Sequence, residues 1–269
     1  MSEVRSRDGT RIAYERIGDG PPLILVDGAL CSREMGPMAS LCAQLTNRFT
    51  VYRYDRRGRG ESGDTQPYAV EREVEDIAAL IDAAGAPVHV YGASSGAALA
   101  LEAANRGLAI RSLALYEAPF IVDDTRPPLL DDYRLALTRY LDANRRGDAV
   151  AHFMKAVGMP APLVLVMRVM PVFSKLKAVA HTLPYDFAIV ADAQRGQPLP
   201  SNRWTAYTEP ILVMMGSKSP SWMHNAMRSL VTVLPCAELR TLTGQTHMVS
   251  EKALAPHLVD FFGRGSEFS

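Results

Sequence analysis

The pentapeptide Gly92-Ala93-Ser94-Ser95-Gly96 constrains this chain more than any other feature. It follows the run Val88-His89-Val90-Tyr91 and precedes the alanine- and leucine-rich stretch Ala97–Arg106. A strand that passes directly into a helix through G-x-S-x-G makes a turn so tight that only small flanking residues fit. The central serine is then strained and exposed at the carboxyl end of the strand, above the first N–H groups of the helix. Those groups, and the partial positive charge at the helix start, suit an oxyanion. A glycine-flanked turn with an incidental serine is the plainer alternative.

The rest of the chain has the size and pattern to surround such a turn. A sequence of 269 residues, 48% of them hydrophobic, can bury the core of one large α/β domain carrying an insertion. Strands are expected at Arg11–Ile17, Leu23–Val26, Thr50–Tyr54, Val88–Tyr91, Ser112–Tyr116, Ile211–Met215 and Glu238–Leu242. Helices are expected at Ser32–Thr46, Val70–Ala83, Ser95–Arg106, Trp222–Val233 and Val249–Phe262. This alternation argues for a mostly parallel, twisted sheet with helices on both faces. From Asp123 to Trp204 the pattern changes to proline-broken amphipathic stretches, which read as a helical insertion. The expected division is therefore a core of residues 1–122 and 205–264 with an inserted unit of residues 123–204.

Composition excludes several function classes. Lys plus Arg equals Asp plus Glu at 29 each, so no global field favours nucleic acid or an anionic membrane. The run Arg56, Arg57, Arg59 is flanked by Asp55, Glu61 and Asp64 and reads as a solvated turn. Cys31, Cys42 and Cys236 have neither framework nor zinc spacing, and the histidines form no i, i+4 pairs, so no disulfide, metal or other cofactor is expected. Met1–Thr10 lacks the apolar core of a signal peptide. The apolar stretch near 161–173 is too short to span a bilayer and contains Arg168. The expectation is a cytoplasmic protein with no membrane partner and a small-molecule substrate. Residues 265–269, Gly-Ser-Glu-Phe-Ser, read as a vector-derived tail and are set aside.

A serine hydroxyl needs a base within hydrogen-bond reach to act as a nucleophile. His247, in Gly244-Gln245-Thr246-His247, follows the last expected strand and so lies at the same sheet edge as Ser94. His89 falls inside a strand, His152 and His181 in the insertion, and His224 and His257 on helices.

Four motifs in order now resemble one family: Leu23-Ile24-Leu25-Val26-Asp27-Gly28-Ala29, the second expected strand and its loop, Asp55-Arg56-Arg57-Gly58-Arg59-Gly60-Glu61-Ser62, the Ser94 pentapeptide and the His247 loop. The chain is similar to enzymes of the α/β-hydrolase fold, of the capped esterase and lactonase type. The resemblance implies an eight-stranded, mostly parallel sheet, with the insertion as a helical cap over the active site. It also implies an oxyanion hole built from the backbone N–H of Ser95 and of Ala29, with Leu30 as the alternative to Ala29. Asp27 replaces the family's usual histidine and puts a carboxylate near the developing charge, which is unfavourable unless it turns away or meets an arginine.

The acid departs from the commonest family pattern. After Ile211–Met215 that pattern has an aspartate where this chain has Ser219. Some members of the fold draw the acid instead from the end of the strand after the elbow helix, where this chain has Glu117. A glutamate there can reach His247 and fix its tautomer. Asp123 and Asp124 lie further into the insertion, and Cys31 reads as a small buried residue.

Met154, Met159, Met167, Met170, Phe173, Leu176 and Tyr185 would give the insertion an apolar lining, unless they form its own core. The expected function is a serine hydrolase that cleaves a carboxylic ester or lactone of a hydrophobic small molecule, through an acyl-enzyme on Ser94, with His247 and Glu117 completing the triad. The alternatives are a ligand-binding, non-hydrolytic homologue, and a C–C bond hydrolase or thioesterase.

Overall fold

In the computed structural model, which describes residues 2–129 and 131–264, eight strands form one sheet. They are β1 Ser2–Arg5, β2 Arg11–Ile17, β3 Pro22–Val26, β4 Thr50–Tyr54, β5 Val88–Ala93, β6 Ile110–Tyr116, β7 Ile211–Gly216 and β8 Ala237–Leu242. Their order is β1-β2-β4-β3-β5-β6-β7-β8, with β1–β2 and β2–β4 antiparallel and every other pair parallel. The tail 265–269 lies outside the described residues.

Strand alternation builds a core on each face. Val90, Leu113, Leu115 and Val213 point to one side, against the helices α2 Val70–Ala84, α3 Ser95–Asn105 and α9 Ser221–Val233. Tyr91, Ala114, Leu212 and Met214 point to the other, towards α1 Met38–Leu45 and α10 Glu251–Gly263. The alanines of α3 are buried, which lets this helix lie close against the sheet.

The parallel register gathers the loops that matter. Val26 pairs with Gly92 and Ala93 pairs with Tyr116, so Asp27, Ser94 and Glu117 leave neighbouring strands at one edge. Gly216 pairs with Leu242, which brings the loop after β8 to that edge as well.

Between β6 and β7 lie α4 Asp131–Asp142, α5 Arg146–Ala156, α6 Ala161–Met167, α7 Val172–Val179 and α8 Leu183–Val190. Leu137, Val150, Met154, Val164, Phe173 and Leu176 form a cluster of their own, joined by Leu30 from the loop after β3. These helices are thus packed onto that loop.

Two expectations are corrected and one strand is added to those expected. The helix expected over 32–46 begins only at Met38, because Gly36 has φ +150° and Pro37 stands as the helix start. The added strand is β1, in the stretch that lacks an apolar core; it pairs with β2 and owes its place to the sheet edge rather than to hydrophobic patterning. Arg56, Arg57 and Arg59 are buried, not solvated. Their guanidinium groups meet carboxylates from distant elements: Glu73 and Asp76 of α2, and Asp186 of α8. Among the described residues no helix is long and apolar enough to cross a membrane.

Candidate active site

Ser94 sits between β5 and α3 with φ +55° and ψ −127°, a strained conformation for a residue with a side chain. Its N–H donates to the Tyr116 carbonyl at 2.9 Å, and its own carbonyl accepts from Ala97 at 3.0 Å, so the strain is held from both sides. The flanking glycines are required by contact distance. A Cβ on Gly96 would stand 2.3 Å from the Val26 carbonyl oxygen, and one on Gly92 would stand 2.5 Å from that of Gly96.

Glu117 follows β6 and is fully buried, also in the left-handed region at φ +46°. Its N–H donates to the Met214 carbonyl at 3.1 Å, and its Oε1 accepts the Gly216 N–H at 2.7 Å. Its other oxygen, Oε2, lies 2.9 Å from His247 Nδ1. A carboxylate can only accept, so Nδ1 carries the proton, and in the neutral imidazole Nε2 keeps its lone pair. The His247 side chain is 42% exposed. Its loop is anchored by the Tyr116 hydroxyl, which donates to the Thr246 carbonyl, and by the Lys218 N–H, which donates to Gln245 at 2.8 Å. Gly216 lets this loop cross, since a Cβ there would lie 2.5 Å from the Gln245 carbonyl oxygen. Among the described residues no hydrogen bond joins Ser94 Oγ to His247, a looseness common in unliganded sites. Ser219, in the place where the common pattern has its acid, is buried with its hydroxyl unpartnered among the described residues.

The loop after β3 packs against the serine. A Cβ on Gly28 would meet Ser94 Cβ at 3.1 Å and Oγ at 3.7 Å. The backbone N–H groups of Ala29 and Ser95 donate to no protein acceptor among the described residues. Leu30 has φ +60° and turns its side chain into the cluster of the inserted helices.

Asp27 does not act as a free carboxylate beside the serine. It is buried, and its Oδ1 accepts the Gly28 N–H at 3.0 Å. Burial pushes its carboxyl up to about 6, against the pull of the Cys31 thiol, the Gly28 N–H and the charges of Arg59 and Arg56. Burial also pushes the Cys31 thiol up, which keeps it from being a thiolate.

A buried charge network that sequence reasoning missed surrounds this loop. Arg56 grips Glu73 with two bonds of 2.7 and 2.8 Å and donates to Asp186 Oδ1 at 2.8 Å and to the Asp27 carbonyl at 3.2 Å. Arg59 donates to Asp186 Oδ2 at 2.7 Å and to the Gly28 carbonyl at 2.6 Å. The Ser95 hydroxyl donates to Asp186 Oδ1 at 2.7 Å. Burial pushes the Asp186 carboxyl up, but Arg59, Arg56 and the Ser95 hydroxyl outweigh it and hold it below the ordinary range. One signal was available: Asp186 is the single charge in the otherwise apolar stretch Leu183–Val190.

The expected lining of the insertion is largely its own core. Met154, Phe173 and Leu176 are buried in the helical cluster, and Met159 and Met167 pack against it. Met170 is exposed, and Tyr185 stacks on Tyr68 with ring centroids 3.8 Å apart. Apolar side chains on neighbouring helices bury one another before they line a cavity. Among the described residues no cluster of His, Cys, Asp and Glu is placed to hold a metal ion.

A model of the alpha/beta hydrolase family matches residues 28–257. An alpha/beta hydrolase from Sphaerobacter thermophilus DSM 20745 is 50% identical and superposes with a TM-score of 0.90, over 97% of this chain and 100% of that one. A hydrolase from Pseudomonas aeruginosa PA01 shares the fold at 24% identity and a TM-score of 0.76, over 97% and 98% of the two chains. The uncharacterized hydrolase YraK of Bacillus subtilis is 33% identical over 98 residues, which span 35% of this chain and only 35% of that relative's length.

Proposed function

Because the chain belongs to the alpha/beta hydrolase family, we propose that it is a serine hydrolase cleaving a carboxylic ester or lactone of a hydrophobic small molecule. Ser94 Oγ attacks the carbonyl while His247 Nε2 takes its proton. Glu117 holds the Nδ1–H and stabilises the imidazolium that forms. The Ala29 and Ser95 N–H groups receive the oxyanion, and His247 then protonates the leaving alkoxide. Water, activated by the same imidazole, releases the acyl group from Ser94.

The observation that carries this reading is the 2.9 Å contact of Glu117 Oε2 with His247 Nδ1, at the sheet edge where Ser94 is held in a strained turn. A buried carboxylate aimed at an exposed imidazole orients a base. It does little for stability that an apolar pair would not do better. Residues 123–204 serve as the cap in this reading, over a core of residues 1–122 and 205–264. The three free cysteines fit a cytoplasmic setting.

The test is intact-mass analysis after fluorophosphonate treatment, with peptide mapping of the adduct. One adduct on Ser94, absent in Ser94→Ala, is the expected result. No adduct in a folded protein would favour a ligand-binding homologue. A panel of esters, lactones, thioesters and C–C diketones then separates the bond types.

A further inference from the structure

We infer that the tip of the inserted helices is a docking surface for an anionic lipid bilayer. Two independent features meet there. The first is apolar exposure: Leu163, Leu165, Val166, Val169, Met170 and Val172 all stand in solvent, Leu165 at 68% and Val169 at 84%. They lie on α6, on the turn after it and at the first residue of α7, and α6 keeps only Val164 fully buried. Exposed apolar residues are ordinary when scattered, but six within ten positions of one short segment are a patch.

The second feature is charge. From Ala149 to Tyr185 the sequence contains no Asp or Glu, while it carries Lys155, Arg168, Lys175 and Lys177. A chain whose charges balance overall therefore carries a net charge of +4 between Asp148 and Asp186. An open groove of about 590 Å³ adjoins this segment through Arg168 and Phe173, and is lined by Arg145, Arg146 and Lys177 as well, with Asp148 as the acid. Arg145 and Arg168 share that acid, and the Lys177 ammonium has no carboxylate partner among the described residues. Arg168 belongs to both features, since it lines the groove and immediately precedes Val169.

An apolar ridge collared by cations matches the layering of an anionic bilayer, whose phosphates lie outside its acyl chains. The ridge enters the acyl boundary while the groove faces the phosphates. A nucleic acid would use the cations but leave the apolar ridge in water. An apolar protein face would cover the ridge but leave the cations unmatched.

The test is sedimentation of the full chain with phosphatidylcholine vesicles, with and without phosphatidylglycerol. Binding to the anionic vesicles alone, weakened by added salt, is the expected result. The double variant K175Q/K177Q should bind about 30-fold more weakly. The double variant L165S/V169S should lose at least about tenfold. Both pairs are exposed, so the melting temperature should hold in each. The unmutated protein's salt response tests the proposal even if a variant misfolds. Failure to bind anionic vesicles, or equal binding to neutral ones, overturns it. So does a dimer in light scattering that L165S/V169S splits, which would give the tip to a second copy of the chain.

Discussion

The Ser95 hydroxyl donates a 2.7 Å hydrogen bond to Asp186, so a carboxylate from the inserted helices touches the residue directly after Ser94. The same carboxylate binds Arg56 and Arg59, whose other N–H groups hold the Asp27 and Gly28 carbonyls. One buried anion thus ties both proposed halves of the oxyanion hole to the insertion. Its removal and the removal of its hydroxyl partner should have different consequences.

Asp186→Asn leaves two buried guanidinium groups short of an anion and should destabilise the fold by about 3–5 kcal/mol. Ser95→Ala deletes the bond to Asp186 and a long one of 3.5 Å from Arg56 but no charge, and should cost only about 1–2 kcal/mol. Denaturant melts of the two variants check this. Equal losses would mean that Glu73 alone satisfies Arg56 and that Asp186 is dispensable.

Glu117→Gln retains the volume of the side chain but cannot stabilise an imidazolium as an anion does. Turnover should fall roughly 10²–10⁴-fold with KM nearly unchanged. The rate of fluorophosphonate labelling at Ser94 gives the same readout before a substrate is known. An unchanged labelling rate would remove Glu117 from the triad.

Ser94 holds a positive φ that a glycine adopts without strain. Both Ser94→Ala and Ser94→Gly should abolish labelling. Ser94→Gly should nevertheless be the more stable of the two by about 1 kcal/mol, because only it releases the backbone. Melting temperatures of the pair measure the strain stored at this turn.

Asp27 provides a pH-dependent test. Burial raises its folded-state carboxyl to about 6, from an ordinary value of 3.8. The folded state therefore holds a proton that the unfolded chain has lost, and stability falls as pH rises from about 4 to about 6. Above that window the ionised, buried group opposes folding by about 2–3 kcal/mol. Asp27→Asn should accordingly raise the melting temperature relative to the unmutated protein more at pH 8 than at pH 4. The difference between the two proteins isolates Asp27 from other titrating groups. A constant difference across this range would show that Arg56 and Arg59 cancel the effect of burial.

Local chemistry made much of this molecule legible before its structure. The strands at Thr50–Tyr54 and Arg11–Ile17 fall where alternation of side chains placed them, and the Ser94 turn falls where its glycines demanded. The family resemblance pointed to Glu117, and a parallel sheet, which sends its strand ends to one edge, brings it to His247. The start of α1 was missed because helical periodicity across Ser32–Thr46 conceals the break that Gly36 and Pro37 impose.

What tertiary structure alone decided was the partnering of charge. Arg56, Arg57 and Arg59 look in sequence like any solvated turn, since their nearest acids in the chain are not the ones they bind. Folding brings Glu73, Asp76 and Asp186 to them, the last from the far side of the insertion. A guanidinium enters a protein interior only where its carboxylates are already in place. The periodicity of a sequence determines which faces are apolar. Which buried ion meets which depends on how distant segments pack, and no local pattern encodes it.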